Sequence, residues 1–141
     1  MADIQSIHLN VQTEDIEDAG TDGDVYLGIC GREFYIDSSA DDFERKSSRE
    51  YILGDGANVK YRSDNDPRSP QLSFENVERF PVYIRFQPRS RTDRWRLQRA
   101  QVSFNERFFP RWDTAGFFPI TGGIWLGIRA GVHVHIPKHE P

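Results

Sequence analysis

The sequence predicts an all-β protein: two antiparallel sheets packed face to face as a β-sandwich. Three observations predict it. Apolar residues recur at every second position in one segment after another, the period of a half-buried strand. No segment carries the apolar stripe of an amphipathic helix. The 11 Gly and 8 Pro are spread along the chain, and the aromatic content of 13% suits short strands joined by turns.

The elements follow in chain order. Ile7, Leu9 and Val11 alternate with His8 and Asn10 and make the first strand. Val25, Leu27 and Ile29 alternate with Tyr26, Gly28 and Cys30; Phe34 and Ile36 follow a Gly-containing turn, so residues 24–37 form a hairpin. Cys30 falls within that apolar strand, which points to a buried thiol rather than a nucleophile. Tyr51 and Leu53 mark a short strand, and Val82, Ile84 and Phe86 mark another after Pro81. Trp95 and Leu97 share one parity, whereas Ala100, Val102 and Phe104 share the other. A parity change within one strand calls for a bulge near Gln98 or Arg99. Ile124, Leu126, Ile128, Ala130, Val132, Val134 and Ile136 keep one parity, as one long bent strand or a hairpin turning near Ala130 and Gly131. This gives seven or eight strands in a single domain over 1–141. Residues 54–80 are polar and turn-rich and read as an insertion that leaves the sandwich.

Composition narrows the function. The net charge is −4, yet residues 1–66 hold 16 acids against 6 bases, and residues 67–141 hold 6 acids against 12 bases. An acidic balance argues against general nucleic-acid binding. The split equally suits two halves of one sandwich that attract each other. No apolar run reaches 18 residues, so no transmembrane segment is expected. The start MADIQSIHLN lacks the basic and apolar regions of a secretory signal, and Cys30 is the only cysteine, so a cytoplasmic location is favoured. No nucleophile elbow, phosphate loop or recognisable catalytic carboxylate pair is present, and no catalysis is assigned.

Two acidic loops carry the chemistry. Glu14, Asp15, Glu17, Asp18, Asp22 and Asp24 crowd the approach to the second strand, and DSSADDF, residues 37–43, follows the third. In a sandwich these two loops open onto the same rim. Carboxylates gathered there raise one another's pKa or recruit a cation. A hard cation with oxygen ligands, calcium above all, suits Asp side chains beside small residues such as Gly20 and Ala40. The spacing is not that of an EF-hand. Solvated Asp-rich turns are the plainer alternative.

At these residues the chain resembles the PLAT, or lipoxygenase-homology, domain. DAGTDGDVYLGI, followed by YIDSSADDFERKSSREYIL, has its turn, strand, acidic loop and aspartate-phenylalanine pair in order. The likeness runs from residue 5 to about 110 and is similar in particular to the C-terminal membrane-binding domain of clostridial phospholipase C toxins. The resemblance implies a first calcium site at Asp18 and Gly20, completed by Asp93 and the carbonyl of Arg94. It implies a second at Asp37, Ser38, Ala40 and Asp42, where Ser38 replaces an amide side chain and Ala40 a glycine. The toxin-type domain places aromatics that dip into lipid in the loop before the late aspartate. Here that loop is QPRSRTD, with Arg89 and Arg91 instead. Arginine seeks phosphate or carboxylate oxygens, which makes these two candidates for partner binding, or for balancing the acidic rim.

Weaker signals remain. His133 and His135, with His139 nearby, form a pattern that a transition metal or mere proximity to the chain end explains. Trp95, Trp112 and Trp125 read as core. Phe108, Phe109, Phe117 and Phe118 crowd a Pro-rich turn and suit either packing or the lining of a pocket. The reading is a calcium-binding module of PLAT type that contacts anionic lipid headgroups or a protein partner. The rival is a small enzyme or ligand-binding protein using an aromatic-lined pocket in the same sandwich.

Overall fold

Residues 3–114 and 123–139 are described by a computed structural model. Their strands are β1 (Ser6–Thr13), β2 (Asp24–Ile29), β3 (Arg32–Ile36), β4 (Ser48–Gly54), β5 (Tyr83–Gln87), β6 (Arg94–Phe104), β7 (Arg107–Asp113), β8 (Ile124–Gly127), β9 (His133–His135) and β10 (Lys138–His139). One sheet runs β10-β7-β6-β1-β4, with β8 also on β6; the other runs β3-β2-β5-β9. Every pairing is antiparallel. The two sheets make the expected sandwich, and the one described helical element is a single 3₁₀ turn at Phe74–Asn76.

Alternation does what it predicts along β1 to β6. Ile7, Leu9 and Val11 meet Val25, Leu27, Phe34, Ile84 and Phe86 in one core. Trp95 is fully buried there. Its ring lies 5.3 Å from Phe43 and 5.8 Å from Phe86, and its Nε1 donates to Thr13 Oγ1 at 2.8 Å. The β6 bulge also stands where the parity change puts it. Gln12 pairs with Arg99 and Thr13 with Leu97, so Gln98 is skipped. Leu97 and Ala100 both reach the core as a result.

Four features differ from the alternation reading. First, β7 emerges from the Phe- and Pro-rich stretch. Its pattern is hidden because Arg111 and Asp113 are buried as a pair (3.3 Å), with Arg99 also on Asp113 at 2.6 Å, while Phe108 is 64% exposed. Phe108 and Phe109 lie over the Arg111 guanidinium, and Phe117 and Phe118 fall outside the described residues. Second, the last segment is neither one strand nor a simple hairpin. β8 pairs with β6 in the first sheet and β9 with β5 in the second. Between them Ile128–Ala130 turns back on a Gly127 N–H to Gly131 carbonyl bond of 2.9 Å. Third, Cys30 sits in the β2–β3 turn at φ 55°, ahead of Gly31 at φ 77°. Positive φ at both central residues matches the right-handed twist of a two-residue hairpin. The thiol is half-buried against the core, donates to Ser73 carbonyl at 3.6 Å, and burial pushes its pKa up. Fourth, the polar segment 54–80 is tied to the sandwich: Val59 and Val77 are buried, and the buried Asn65 accepts from the Tyr35 N–H at 2.8 Å.

Candidate functional site at the acidic rim

The loop between β1 and β2 does not hang free. Glu14 N–H donates to Arg96 carbonyl at 3.1 Å, and Arg96 N–H donates to Ala19 carbonyl at 2.9 Å, so the loop lies along the start of β6. Thr21 N–H donates to Phe43 carbonyl at 3.0 Å, which joins it to the second acidic loop. The two loops therefore share one rim, as their order in the chain predicts. Gly20 is the point of closest approach. A Cβ there would stand 2.7 Å from the Arg45 amide nitrogen, so this glycine serves backbone packing. Asp18 takes φ 64°, a conformation that Asp and Asn tolerate, and its side chain is 69% exposed.

Asp93, at the end of the QPRSRTD loop, holds the rim together. Its Oδ1 accepts from Thr21 Oγ1 at 2.7 Å, and its Oδ2 accepts from Arg89 N–H at 2.8 Å. Thr21 Oγ1 in turn accepts from Gly23 N–H at 2.9 Å. Asp18, Gly20, Asp93 and Arg94 line one recess of about 250 Å³ together with Thr92. Four residues from loops some seventy positions apart thus come together in one recess, the grouping that the resemblance implies. Gly20 and Asp93 continue into a second recess, shared with Thr21, Asp22, Glu44, Arg89 and Ser90.

The donors in the first recess suit a hard cation. Its lining residues offer two carboxylates and the Thr92 hydroxyl, with no sulfur or imidazole. Each Asp93 oxygen keeps a lone pair beyond the bond it accepts. The ion-pair contact of Asp18 is with Arg94 Nη2 at 3.7 Å, an exposed pair of little strength. Among the described residues, no three His, Cys, Asp or Glu side chains converge as a metal-binding group. The recess would therefore rely on carbonyl oxygens for the remaining ligands.

The second loop is more self-contained. Asp42 accepts from Ser38 N–H (2.8 Å), Ser38 Oγ (2.7 Å) and Tyr51 hydroxyl (2.8 Å), with Arg49 at 3.8 Å. Ala40 N–H donates to Ser38 Oγ at 3.2 Å, and Lys60 stands 3.7 Å from Asp37. The loop gathers Asp37, Ser38, Ala40 and Asp42, but its own donors already answer the Asp42 oxygens. Burial first, then a hydrogen bond with Asp42, raises the Asp37 pKa, and Lys60 opposes the shift. A raised carboxylate pKa means that the native state binds the proton more tightly than the unfolded chain. Stability then falls as pH rises from the ordinary value of 3.8 through the raised one. Asp37→Asn should raise the melting temperature at neutral pH in EDTA, and the gain should vanish below pH 3.8, where both states are protonated. Thermal melts of both proteins across pH check this.

Arg89 and Arg91 are exposed, and neither side chain has an ion-pair partner among the described residues. Beside them lies a group that the sequence reading did not assign to the rim. Trp125 has the Arg94 guanidinium 4.2 Å and the Arg96 guanidinium 5.4 Å from its ring centroid. Ile128, on the β8–β9 turn, is 55% exposed. The two glycines that frame GIRAG were the available signal, because a turn there takes Ile128 out of the core parity. His133 and His135 project outward on either side of buried Val134, and His139 lies near Phe109. Of the aromatics that suit a pocket lining, Phe108 and Phe109 pack edge to face with centroids 4.6 Å apart.

No protein-family model matches the chain, and no curated protein matches it. Solved structures do share its fold. Alpha-toxin from Clostridium absonum aligns over 94% of this chain and 31% of its own, at 18% identity and a TM-score of 0.62. Alpha-toxin of an avian strain of Clostridium perfringens aligns over 98% and 30%, at 17% identity and a TM-score of 0.60. A coral 8R-lipoxygenase, described as activated by calcium via a C2-like domain, aligns over 96% and 17%, at 17% identity and a TM-score of 0.58. The chain thus has a PLAT-type fold and spans about a third or less of each of these proteins.

Proposed function

We propose that this PLAT-type sandwich is a calcium-dependent interaction module whose acidic rim contacts anionic lipid headgroups or an acidic surface of a protein partner. One observation carries the reading: Asp18, Gly20, Asp93 and Arg94 meet in one recess, and Arg89 and Arg91, which have no ion-pair partner among the described residues, line the recesses beside it. The Asp18 and Asp93 carboxylates and the carbonyls of Gly20 and Arg94 would hold the ion. Asp37, Ser38, Ala40 and Asp42 would form a second, weaker position, since Asp42 is already satisfied by Ser38 and Tyr51. A bound calcium supplies positive charge and coordination positions open to phosphate or carboxylate oxygens. Arg89 and Arg91 add bidentate donors for the same oxygens. Thr21 holds Asp93 in place, and Gly20 lets the two acidic loops touch.

Calcium titration of the melting temperature tests this. At ten times its dissociation constant, a single ion should raise the midpoint by about 4–6 °C over EDTA. No rise at millimolar calcium sinks the rim-site model. Sedimentation with anionic and with neutral vesicles then separates headgroups from a protein partner. The Arg94 side chain makes a finer prediction. It sits on Asp18 in competition with a cation, while only its carbonyl is a proposed ligand. Arg94→Ala should tighten calcium binding by about three- to fivefold, the scale of an exposed ion pair. Isothermal titration reads this directly; weaker binding would place Arg94 in a different role.

A further inference from the structure

The apolar contact expected of a lipid-binding rim is missing from its predicted loop, since QPRSRTD carries Arg89 and Arg91 and no aromatic. The rim supplies one elsewhere. A recess of about 380 Å³ adjoins the Asp18–Asp93 recess and shares Thr92, Asp93 and Arg94 with it. Its other lining includes Arg91, Trp125, Ile128 and Arg129. Ile128 stands on the three-residue turn that carries the chain from one sheet to the other, more than half exposed. Arg129 is exposed beside it, and neither Arg91 nor Arg129 has an ion-pair partner among the described residues. Trp125, three residues earlier on β8, is covered by Arg94 and Arg96.

We propose that the β8–β9 turn is the membrane-entering element of this protein. Ile128 enters the acyl boundary of an anionic phospholipid surface while Arg91 and Arg129 hold its phosphates. This rests on the rim reading above and commits it to lipid over protein. A protruding apolar side chain beside two guanidiniums that have no ion-pair partner among the described residues matches a surface that is anionic at one depth and apolar just beneath. One aliphatic side chain anchors only marginally, and adjacent basic residues supply the rest. Trp125, amphipathic and stacked with arginine, suits the headgroup level between the two. The acids Asp18, Asp22 and Glu44 on the same rim oppose such a surface, which makes the contact depend on a cation at Asp18 and Asp93.

The test uses the full chain and vesicles of phosphatidylserine and phosphatidylcholine in equal parts, with millimolar calcium. In a Cys30→Ser background, Ile128→Cys carries an environment-sensitive fluorophore. A matching label goes on Asp55→Cys, beyond the opposite end of β1 and β4. The label at 128 should shift to the blue on vesicles and be quenched by lipids brominated in the acyl chain, whereas the label at 55 should do neither. Ile128→Asp should lose roughly tenfold in vesicle partitioning, while keeping the wild-type calcium-induced rise in melting temperature. Ile128→Leu should retain both. If the protein pellets on these vesicles but the 128 label stays in water, or Ile128→Asp partitions as wild type, the turn is not the entering element and the headgroup reading stands. If calcium stabilises the chain and it never pellets on anionic vesicles, both this proposal and the headgroup reading fall, and the rim ion survives.

Discussion

Replacing Asp18 and Asp93 together by asparagine should abolish the rise in melting temperature that the proposed rim ion would bring. The two positions sit on loops that meet in one recess. Removing both charges removes the electrostatic basis for holding a divalent cation there. Asparagine is the right replacement at position 18, because the backbone at φ 64° tolerates it as it tolerates Asp. At position 93 the change has a second consequence. The carboxylate accepts from Thr21 on one oxygen and from Arg89 N–H on the other, and an amide can accept at only one. Asp93→Asn should therefore cost about 1 kcal/mol of stability in EDTA as well. The decisive quantity is the difference between calcium and EDTA for each variant, measured by calorimetry. A wild-type difference in the double variant would place the ion elsewhere, with the Asp37–Asp42 loop the next place to look.

Trp95→Ala should remove about 3–5 kcal/mol of folding stability, a fall in melting temperature on the order of 10–20 °C. Trp95 is fully buried, with Phe43 and Phe86 against its ring. Phe86 belongs to the opposite sheet and Phe43 to the second acidic loop, so one indole ties both sheets to the rim. Its loss leaves a large cavity and strips the Thr13 hydroxyl, itself buried, of its donor. Because the Asp93 loop enters β6 two residues earlier, calcium stabilisation should weaken in the same variant. Urea melts with and without calcium measure both effects. A loss below about 1 kcal/mol would mean that the core collapses around the site far better than packed interiors do.

Legibility along the chain follows the physics of each segment. β1, β2, β3 and β5 read correctly because one face meets core and the other meets water, so polarity reports orientation. The β6 bulge was legible for the same reason: a skipped residue flips the parity, and Leu97 and Ala100 show the flip. β7 was not, because a buried ion pair puts Arg111 and Asp113 where apolar residues would signal a strand. The last segment misleads in the opposite way. Its parity runs through Ile128 and Ala130, which a turn brings to the surface. Of the site, the two acidic loops were legible as neighbours from their order in the chain, whereas the grouping of Asp18 and Gly20 with Asp93 and Arg94 came from the family resemblance alone. Their neighbours Trp125, Ile128 and Arg129 carry no local signature of the rim, since adjacency across two sheets leaves no trace in spacing.

The opening acids show the division most clearly. Sequence alone establishes that like charges crowd before β2 beside Gly20 and Gly23, that a sandwich follows, and that no second charge cluster lies nearer than Asp37. These are consequences of composition and period, which act locally. Only the tertiary structure decides what each acid does. Glu14 pairs with Arg96 at 3.2 Å, Asp15 with Arg45 at 2.9 Å, and Asp24 accepts from the Tyr35 hydroxyl at 2.9 Å. Asp18, across the recess from Asp93, keeps its carboxylate largely in solvent. The partners come from strands and loops up to 82 residues away, and a charge's role depends on what the fold brings within a few ångströms of it.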